Sequence, residues 1–412
     1  MINNIGQIFK LAFRNILRNK RRTMLTLFSI MFGASSIVFV GGYIEYTFWG
    51  LREATIKNDI GHIQIYQKGF NENSMNDQQN YVLHNRDIQQ IEAQLKEMPE
   101  ISQFSKRINF TGLISSGEKT LTFMGVGIEP GKESKVNTQM TIVSGENLFD
   151  SDKNRILIGS DLAKSLGVKV KDNVTLLTTS KSGQINAIDF EVFGLVSRGI
   201  KDVDSRSIVI LLEDAQRLVD MDGIERYLVF LKNTTDTPKV LSILNKKFAI
   251  NQYELKSWEE LTPYYHQVVR LYNSAFNFLK LVILVIIILS ISNTMIMSIL
   301  ERVSEIGTLR AMGTSKLQTV FVIVTEGFLL GTIGGILGIF IGTLIAFTIN
   351  LFGGIYMPPP PGFSDGYMIL VAIVPNVLLF ALFLSIFSSL ISSIIPAIKA
   401  SRLRIVDALR HV

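Results

Sequence analysis

Four runs without a single charged side chain constrain this chain more than any other feature. None of the 22 residues between Arg22 and Glu45 is charged, nor any of the 20 between Lys280 and Glu301. Charge is also absent from Gly327 to Ser364 and from Gly366 to Ile398. A helix rising about 1.5 Å per residue needs about 20 apolar residues to cross a bilayer core. The runs therefore predict four membrane helices, near Thr23–Ile44, Phe278–Leu300, Val320–Asn350 and Met368–Pro396. The prolines Pro358–Pro361 separate the last two, because each lacks an N–H and crowds the preceding turn. A chain of 412 residues with 41 Lys+Arg and 35 Asp+Glu is too polar to be membrane throughout. A mixed architecture follows, and composition excludes a disordered chain or a disulfide scaffold, since there is no cysteine.

Basic residues set the expected orientation. The first 22 residues hold six of them (Lys10, Arg14, Arg18, Lys20, Arg21, Arg22) and no acid. Residues 301–318 add Arg302, Arg310 and Lys316 against Glu301 and Glu305, and the tail adds Lys399, Arg402, Arg404 and Arg410 against Asp407. Together these segments carry 13 basic and three acidic residues, a net of +10, which leaves −4 for the rest of a chain whose total is +6. Both termini and the 301–318 loop are thus expected in the cytoplasm. The basic excess records topology, and nucleic acid is not an expected partner. The small residues Gly33, Ala34, Ser35 and Ser36 sit in the middle of the first apolar run. With no A-x-A site after them, that run reads as an uncleaved anchor and not a signal peptide.

The expected fold is an integral membrane protein of four transmembrane helices. A large extracytoplasmic α/β domain, porter-like βαβ halves plus a β-rich insert, lies between spans one and two. The expected order is a cytoplasmic basic helix (1–22), span one (23–46), the outer domain (47–270, insert about 130–205) and span two (271–300). A cytoplasmic helix (301–318), span three (319–350), a Pro-rich outer loop (351–367), span four (368–396) and a cytoplasmic tail (397–412) follow. Within the outer domain, Gly61–Gln67 alternates as a strand, and Asp87–Met98 carries Ile88, Ile91 and Leu95 at helical spacing. Phe104–Ser115 and Lys119–Ile128 read as a hairpin around Ser116-Gly117. Glu225–Leu231, Pro238–Phe248 and Tyr253–Lys256 repeat the strand–helix–strand order. Arg155–Ile158, Asn173–Thr179 and Ile185–Val196 are the strand candidates of the insert.

Catalytic patterns are missing from the sequence. It contains no G-x-x-x-x-G-K-[ST] phosphate loop and no G-x-S-x-G elbow. His62, His84, His266 and His411 are scattered, with no second His at metal-ligand spacing. Asp202 and Asp204 lack the Gly and Glu of a calcium loop and read as a solvated turn. No catalytic residue and no metal site is expected.

The informative patterns are mechanical. Glu301, Arg302, Glu305, Ile306, Gly307, Leu309, Arg310, Met312 and Gly313 belong to a segment that continues span two as a helix. Arg302 and Glu305 can pair at i,i+3. Val303, Ile306 and Leu309 form an apolar stripe, and Gly313 with Thr314-Ser315 offers a stop and a new N-cap. Such a helix would dock in a soluble partner, or would simply connect two spans in the interface. Gly327, Gly331 and Gly335, and likewise Gly334, Gly338 and Gly342, line two small-residue faces of span three. Ser385, Ser389 and Ser393 line one face of span four. These faces are expected to pack on each other or on span one. Glu326, inside span three, is expected to reach the interface or to pair with Arg310 or Lys316. Tyr43, Tyr46, Phe48 and Trp49 end span one, and Tyr264, Tyr265, Tyr272, Phe276 and Phe278 precede or open span two. They read as an interfacial aromatic belt; Tyr43, Tyr46, Phe48, Tyr272 and Phe276 would also be the first groups met by a lipid-linked substrate leaving the outer leaflet.

These segments carry a family resemblance. ERVSEIGTLRAMGTS (Glu301–Ser315) resembles the coupling helix of the MacB/FtsX/LolC-LolE superfamily of ABC-transporter permeases (type VII, mechanotransmission). PAIKASRLRIVDALR (Pro396–Arg410) resembles that family's closing motif, and LAFRNILRNKRR (Leu11–Arg22) its basic opening helix. Gly61–Gly69, Gly127–Pro130 and Met357–Gly362 resemble the lipoprotein-releasing LolC/LolE branch. The resemblance implies a non-catalytic permease subunit in the bacterial inner membrane, with a separate ABC ATPase subunit that binds ATP-Mg. It further implies a second permease protomer, a periplasmic carrier or adaptor, and lipoprotein release or extraction. Export of a drug, peptide or toxin, FtsX-like regulation of an external hydrolase, and a membrane-anchored scaffold without ATP coupling are the alternatives.

Overall fold

A computed structural model describes residues 5–18, 20–72, 81–133, 140–180, 183–248, 252–359 and 366–402. The closing motif from residue 403 onward, and the loop residues 360–365, lie outside the described residues. The chain divides into two compact units. One comprises Met1–Trp49, Val268–Met357 and Met368–Val412; the other comprises Gly50–Gln267 and Pro358–Tyr367.

The chain opens in the first unit with α1 (Ile5–Arg18) and α2 (Lys20–Thr55), the last residues of α2 being counted in the second. The second unit follows in the chain with β1 (Ile63–Gln67), α3 (Asn85–Lys96), β2 (Ile101–Ser115), β3 (Thr120–Ile128) and β4 (Thr141–Gly145). Next come β5 (Arg155–Gly159), α4 (Ser160–Leu166), β6 (Asn173–Thr179), β7 (Ile185–Ser197), β8 (Ser207–Leu211) and α5 (Leu212–Val219). β9 (Arg226–Leu231), α6 (Thr237–Lys247) and β10 (Tyr253–Ser257) complete the domain. The chain then continues through α7 (Pro263–Glu301), α8 (Val303–Ala311), α9 (Lys316–Leu351), β11 (Ile355–Met357), β12 (Tyr367–Ile369) and α10 (Pro375–Ser401).

Among the described residues, α2, α7, α9 and α10 are long and apolar enough to cross a membrane. Two boundaries differ from the sequence expectation. α2 and α7 run well beyond the charge-free windows, because no Pro or paired Gly stops them there. α10 starts at Pro375, not Met368, with its proline in the first turn where the missing N–H costs nothing. It then passes through Pro396, the expected end, and continues to Ser401. Pro396 deprives the carbonyl of Ser392 of its helical donor, and the Ser292 hydroxyl of α7 donates to that carbonyl at 3.1 Å instead.

Close helix approach organises this unit. A Cβ on Gly327, Gly331 or Gly335 would lie 2.8, 2.8 or 3.0 Å from the Cβ of Ser393, Ser389 or Ser385 on α10. On the neighbouring face, a Cβ on Gly334, Gly338 or Gly342 would lie 2.8, 2.5 or 2.9 Å from the Cβ of Ile30, Ala34 or Val38 on α2. The structure thus realises both expected pairings at once, with α9 as the central helix. Ser389 Oγ donates to Gly327 O at 2.5 Å across the first contact. The segment before α10 is pinned by Asn350, whose amide donates to Val371 O at 2.9 Å and accepts from Val371 N at 2.8 Å.

The α/β domain is a ten-stranded sheet in the order β10-β1-β9-β2-β3-β8-β5-β7-β4, with β6 pairing to β2 and β7. β1–α3–β2 and β9–α6–β10 are the two expected βαβ halves, and they interleave. β1 lies antiparallel between β10 and β9, with Ile65 opposite Leu255 and Tyr227, and β9 lies antiparallel to β2. Ile91 and Leu95 of α3, and Val240 and Leu244 of α6, are buried in the same core as Ile63, Ile65 and Val229. β8 was not foreseen. Its five residues are all buried, so they lack the alternation that marks a half-exposed strand. β8 pairs parallel to β3 and antiparallel to β5, which joins the insert to the same sheet. The short edge strand β4 and the helices α4 and α5 were also not foreseen.

His62, just before β1, is buried and closes a chain of hydrogen bonds in this unit. Its Nδ1 accepts from Leu231 N at 3.1 Å, so Nε2 carries the proton toward Thr234 Oγ1 at 3.1 Å, and Thr234 donates to Glu53 at 2.8 Å. Burial pushes the imidazole down to about 4, against an opposing pull from Glu53 and with Lys57 and Arg52 adding to the depression. The folded domain therefore stays unprotonated at His62 while the unfolded chain takes up a proton near its ordinary value. Acidification from about pH 6.5 to about pH 4 should cost about 3 kcal/mol of stability through this group. Unfolding of the full chain across that range, compared with His62→Asn, checks it: the variant should show the shallower pH dependence, and parallel profiles would exclude the effect.

Candidate functional site

The segment singled out by sequence lies at one end of the helical unit. α7 does not continue into it directly. It ends at Glu301, Arg302 takes φ −111° and ψ 16°, and α8 begins at Val303. α8 closes at Ala311, Gly313 turns the chain at φ +96°, and Ser315 caps α9. The Ser315 hydroxyl accepts from Gln318 N at 3.2 Å while Gln318 Oε1 accepts from Ser315 N at 2.8 Å. The stop and the new cap are as expected; the unbroken helix is not.

The apolar stripe of α8 also serves a different purpose. Val303 and Ile306 are 5% and 8% exposed, and Gly307 is buried. Ile306 packs with Ile16, Ile287, Met295, Ile323 and Leu330 of the helical unit itself. Leu309 and Arg310 are half-buried. What α8 and its exit present outward is Ser304, Glu305, Thr308, Ala311, Met312 and Gly313.

Charged groups lock this arrangement. Arg302 pairs with Glu305 (3.4 Å), as the i,i+3 spacing predicts, but its Nη1 also donates to Glu326 at 3.2 and 3.5 Å. Asn15 of α1 donates to Glu326 at 2.5 Å. Glu326 is therefore paired with Arg302 and Asn15, which corrects the expectation of Arg310 or Lys316. Proximity in sequence suggested the latter two; the break at Arg302 brings the more distant guanidinium within reach. A cavity of about 30 Å³, lined by Asn15, Arg22, Thr26, Thr294, Ser298 and Glu326, leaves room for water beside this carboxylate. Arg18 forks onto Glu305 at 2.7 and 2.6 Å, and Arg22 pairs with Glu301. The hydrogen bond from Arg18 holds the Glu305 carboxyl below the usual carboxylate range and raises the guanidinium in turn.

None of these contacts from α1 and the first turn of α2 was legible in sequence, because the partners stand 279 to 311 residues apart. The one available signal was the charge of Glu326 itself, which requires a buried partner without naming it. The aromatic residues lie elsewhere. Phe48 and Tyr272 meet edge to face at 6.1 Å, Tyr46 and Trp49 lie 5.7 Å apart, and Tyr43 is half-buried. Phe276 is buried, with the Lys280 ammonium 4.1 Å from its ring centre.

Two family models account for most of the chain. A MacB-like periplasmic core domain matches residues 23–247, and an FtsX-like permease C-terminal domain matches residues 277–405. This protein belongs to the ABC-transporter permease family of LolC, LolE and MacB. It is 24% identical over 311 residues to a lipoprotein-releasing system transmembrane protein LolC of Xylella fastidiosa, covering 72% of this chain and 74% of that one. It is 24% identical over 355 residues to a lipoprotein-releasing system transmembrane protein LolE of Haemophilus influenzae, covering 78% and 80%. Among solved structures, the periplasmic region of MacB from Actinobacillus actinomycetemcomitans is 16% identical, with 48% of this chain and 90% of that one covered at a TM-score of 0.35.

For this permease the two pairs of Arg302 and Arg18 differ in weight. Arg302 and Glu326 are both nearly buried (13% and 9% exposed side chains), whereas Arg18 and Glu305 are half-exposed. Arg302→Ala leaves a buried carboxylate with only Asn15 and should destabilise by about 3–5 kcal/mol. Arg18→Ala should cost no more than about 1 kcal/mol. Adding Glu326→Gln to Arg302→Ala should recover most of the loss. Thermal unfolding in detergent micelles measures all three, and equal losses for the two arginine variants would contradict this ranking.

Proposed function

We propose that the permease converts ATP hydrolysis in a separate ATPase subunit into movement of its extracytoplasmic α/β domain, without conducting cargo through an aqueous pore. The observation that carries this reading is α8. It is a short helix held between two membrane spans, with Ser304, Thr308 and Ala311, and Met312 just past its end, outward, and with Val303 and Ile306 buried. An ATPase docked on that face would push both α7 and α9. The excess of Lys and Arg on α1 and on residues 301–318 supports placing this end in the cytoplasm. α2 and α7 are continuous helices of 36 and 39 residues, long enough to relay movement past the bilayer. The sequence has no phosphate loop, so ATP-Mg would be held by the partner.

The proposed assembly pairs two permease protomers with two ATPase subunits in the bacterial inner membrane. A periplasmic carrier or adaptor would meet the outer domain. The proposed cargo is a lipoprotein or another amphiphile taken from the outer leaflet; the LolC and LolE relatives support this choice. Tyr43, Tyr46, Phe48, Tyr272 and Phe276 would be the rings such a cargo meets. Export of a drug, peptide or toxin is the second reading, supported by the match to a MacB-like core domain.

Docking is tested on the outward face, where substitution leaves the inner packing intact. Thr308→Arg with Met312→Glu should reduce co-purification of the ATPase at least about tenfold, the equivalent of about 1.4 kcal/mol, while the permease stays monodisperse. Undiminished co-purification would overturn the docking assignment.

A further inference from the structure

We propose that α1 is a working part of the coupling device: through Asn15 and Arg18 it clamps α8 to the base of α9, while Arg22 in the first turn of α2 holds the end of α7. The proposal rests on the reading of α8 as the element that an ATPase pushes. Nothing in the sequence comparison assigns α1 such a role.

The argument starts from the break at Arg302. A helix that continued straight from α7 would pass a push along its own axis. α8 instead restarts after a residue with non-helical dihedrals, so the junction is a pivot. A push on a pivoting lever moves the lever alone unless it is tied to something else. The ties are present, and most of them come from α1. Arg18 forks onto Glu305 of α8, and Asn15, one turn earlier, donates to Glu326 of α9. Arg302 bridges Glu305 and Glu326. The five side chains form a closed ring: Arg18, Glu305, Arg302, Glu326 and Asn15, returning to Arg18 along one turn of α1. Arg22 grips Glu301 on the other side of the pivot.

Apolar packing fixes the position of α1 itself. Ala12 and Ile16 are buried, Ile16 shares a cluster with Ile306 and Ile323, and Phe9 meets Phe328 of α9 edge to face at 6.4 Å. α1 is thereby seated on α9 along its apolar side and grips α8 along its polar side. α8, α1 and the base of α9 then form one block, so a push on α8 is delivered to α9, and Arg22 separately ties the end of α7 to the first turn of α2. Arg18, Asn15 and Arg22 are positioning residues in this device; none of them meets nucleotide or cargo.

The absence of cysteine gives a direct test, because two engineered cysteines carry all of the label. Arg14→Cys lies on the exposed side of α1 and Ser304→Cys on the exposed side of α8. In the full chain in lipid nanodiscs, a spin-label pair on these residues should give one narrow distance distribution. Arg18→Glu should increase the fraction of molecules in displaced conformations about fivefold. Arg18→Lys, which keeps the positive charge toward Glu305, should keep the narrow distribution, and the helical circular dichroism of Arg18→Glu should match that of the unsubstituted chain, which a general loss of folding would not allow. A broad distribution in the unsubstituted chain, no broadening with Arg18→Glu, or equal broadening with Arg18→Lys would each overturn the clamp. Failure of any ATPase to co-purify would refute the docking reading alone, since the nanodisc measurement on the isolated permease still decides the clamp.

Discussion

A carboxylate buried among membrane helices must find a partner, and the partner chosen by Glu326 determines much of this fold. Taking an unpaired charge out of water costs several kcal/mol, about the whole stability margin of a domain. Glu326 meets that requirement with Arg302 and Asn15. Arg302 sits where α7 must break for α8 to turn, and Asn15 sits on a helix at the far end of the sequence. One buried charge therefore holds three elements in register. The exposed pairs, Arg18 with Glu305 and Arg22 with Glu301, add little energy each but point the same way, so their contribution is geometric.

Backbone-to-backbone packing supplies the rigidity on which such a device depends. α9 presents one glycine face to the serines of α10 and another to Ile30, Ala34 and Val38 of α2. In lipid, where apolar side chains gain little by leaving one solvent for a similar one, this kind of fit is what holds helices together. It also limits them to few arrangements. Helices so tightly seated shift as bodies, which suits a unit proposed to pass movement along α2 and α7. The α/β domain is rigid in its own way. Interleaved βαβ halves mean that β1 is bonded on both sides by strands from the other half, so neither half separates without breaking a ladder.

Local patterns in the sequence reported local structure well. The charge-free runs located all four spans, the turn at Gly313 and the Ser315 cap were readable, and each strand and helix of the two βαβ halves was found within a few residues. Failures have physical causes. β8 was missed because a strand buried on both faces loses its alternation. Span four was started too early because absence of charge does not distinguish a helix from the β12 strand and extended segment before Pro375. The α8 stripe was legible as apolar but not as inward, since Val303 and Ile306 are equally suited to a partner's groove and to their own bundle. The α1 contacts were invisible because pairs hundreds of residues apart leave no periodicity. The site was thus half legible: Glu301, Arg302, Glu305 and Glu326 were named, while Asn15, the part played by Arg18 and the ring that joins them were not.

The central claim is that a push on α8 reaches the α/β domain. Amide hydrogen exchange on the permease–ATPase complex in nanodiscs tests it most directly, comparing the ADP-bound and vanadate-trapped states. The account predicts altered exchange in α2, α7 and the strands of the α/β domain as well as in α8. Changes confined to residues 301–318, with ATP still being hydrolysed, would contradict it.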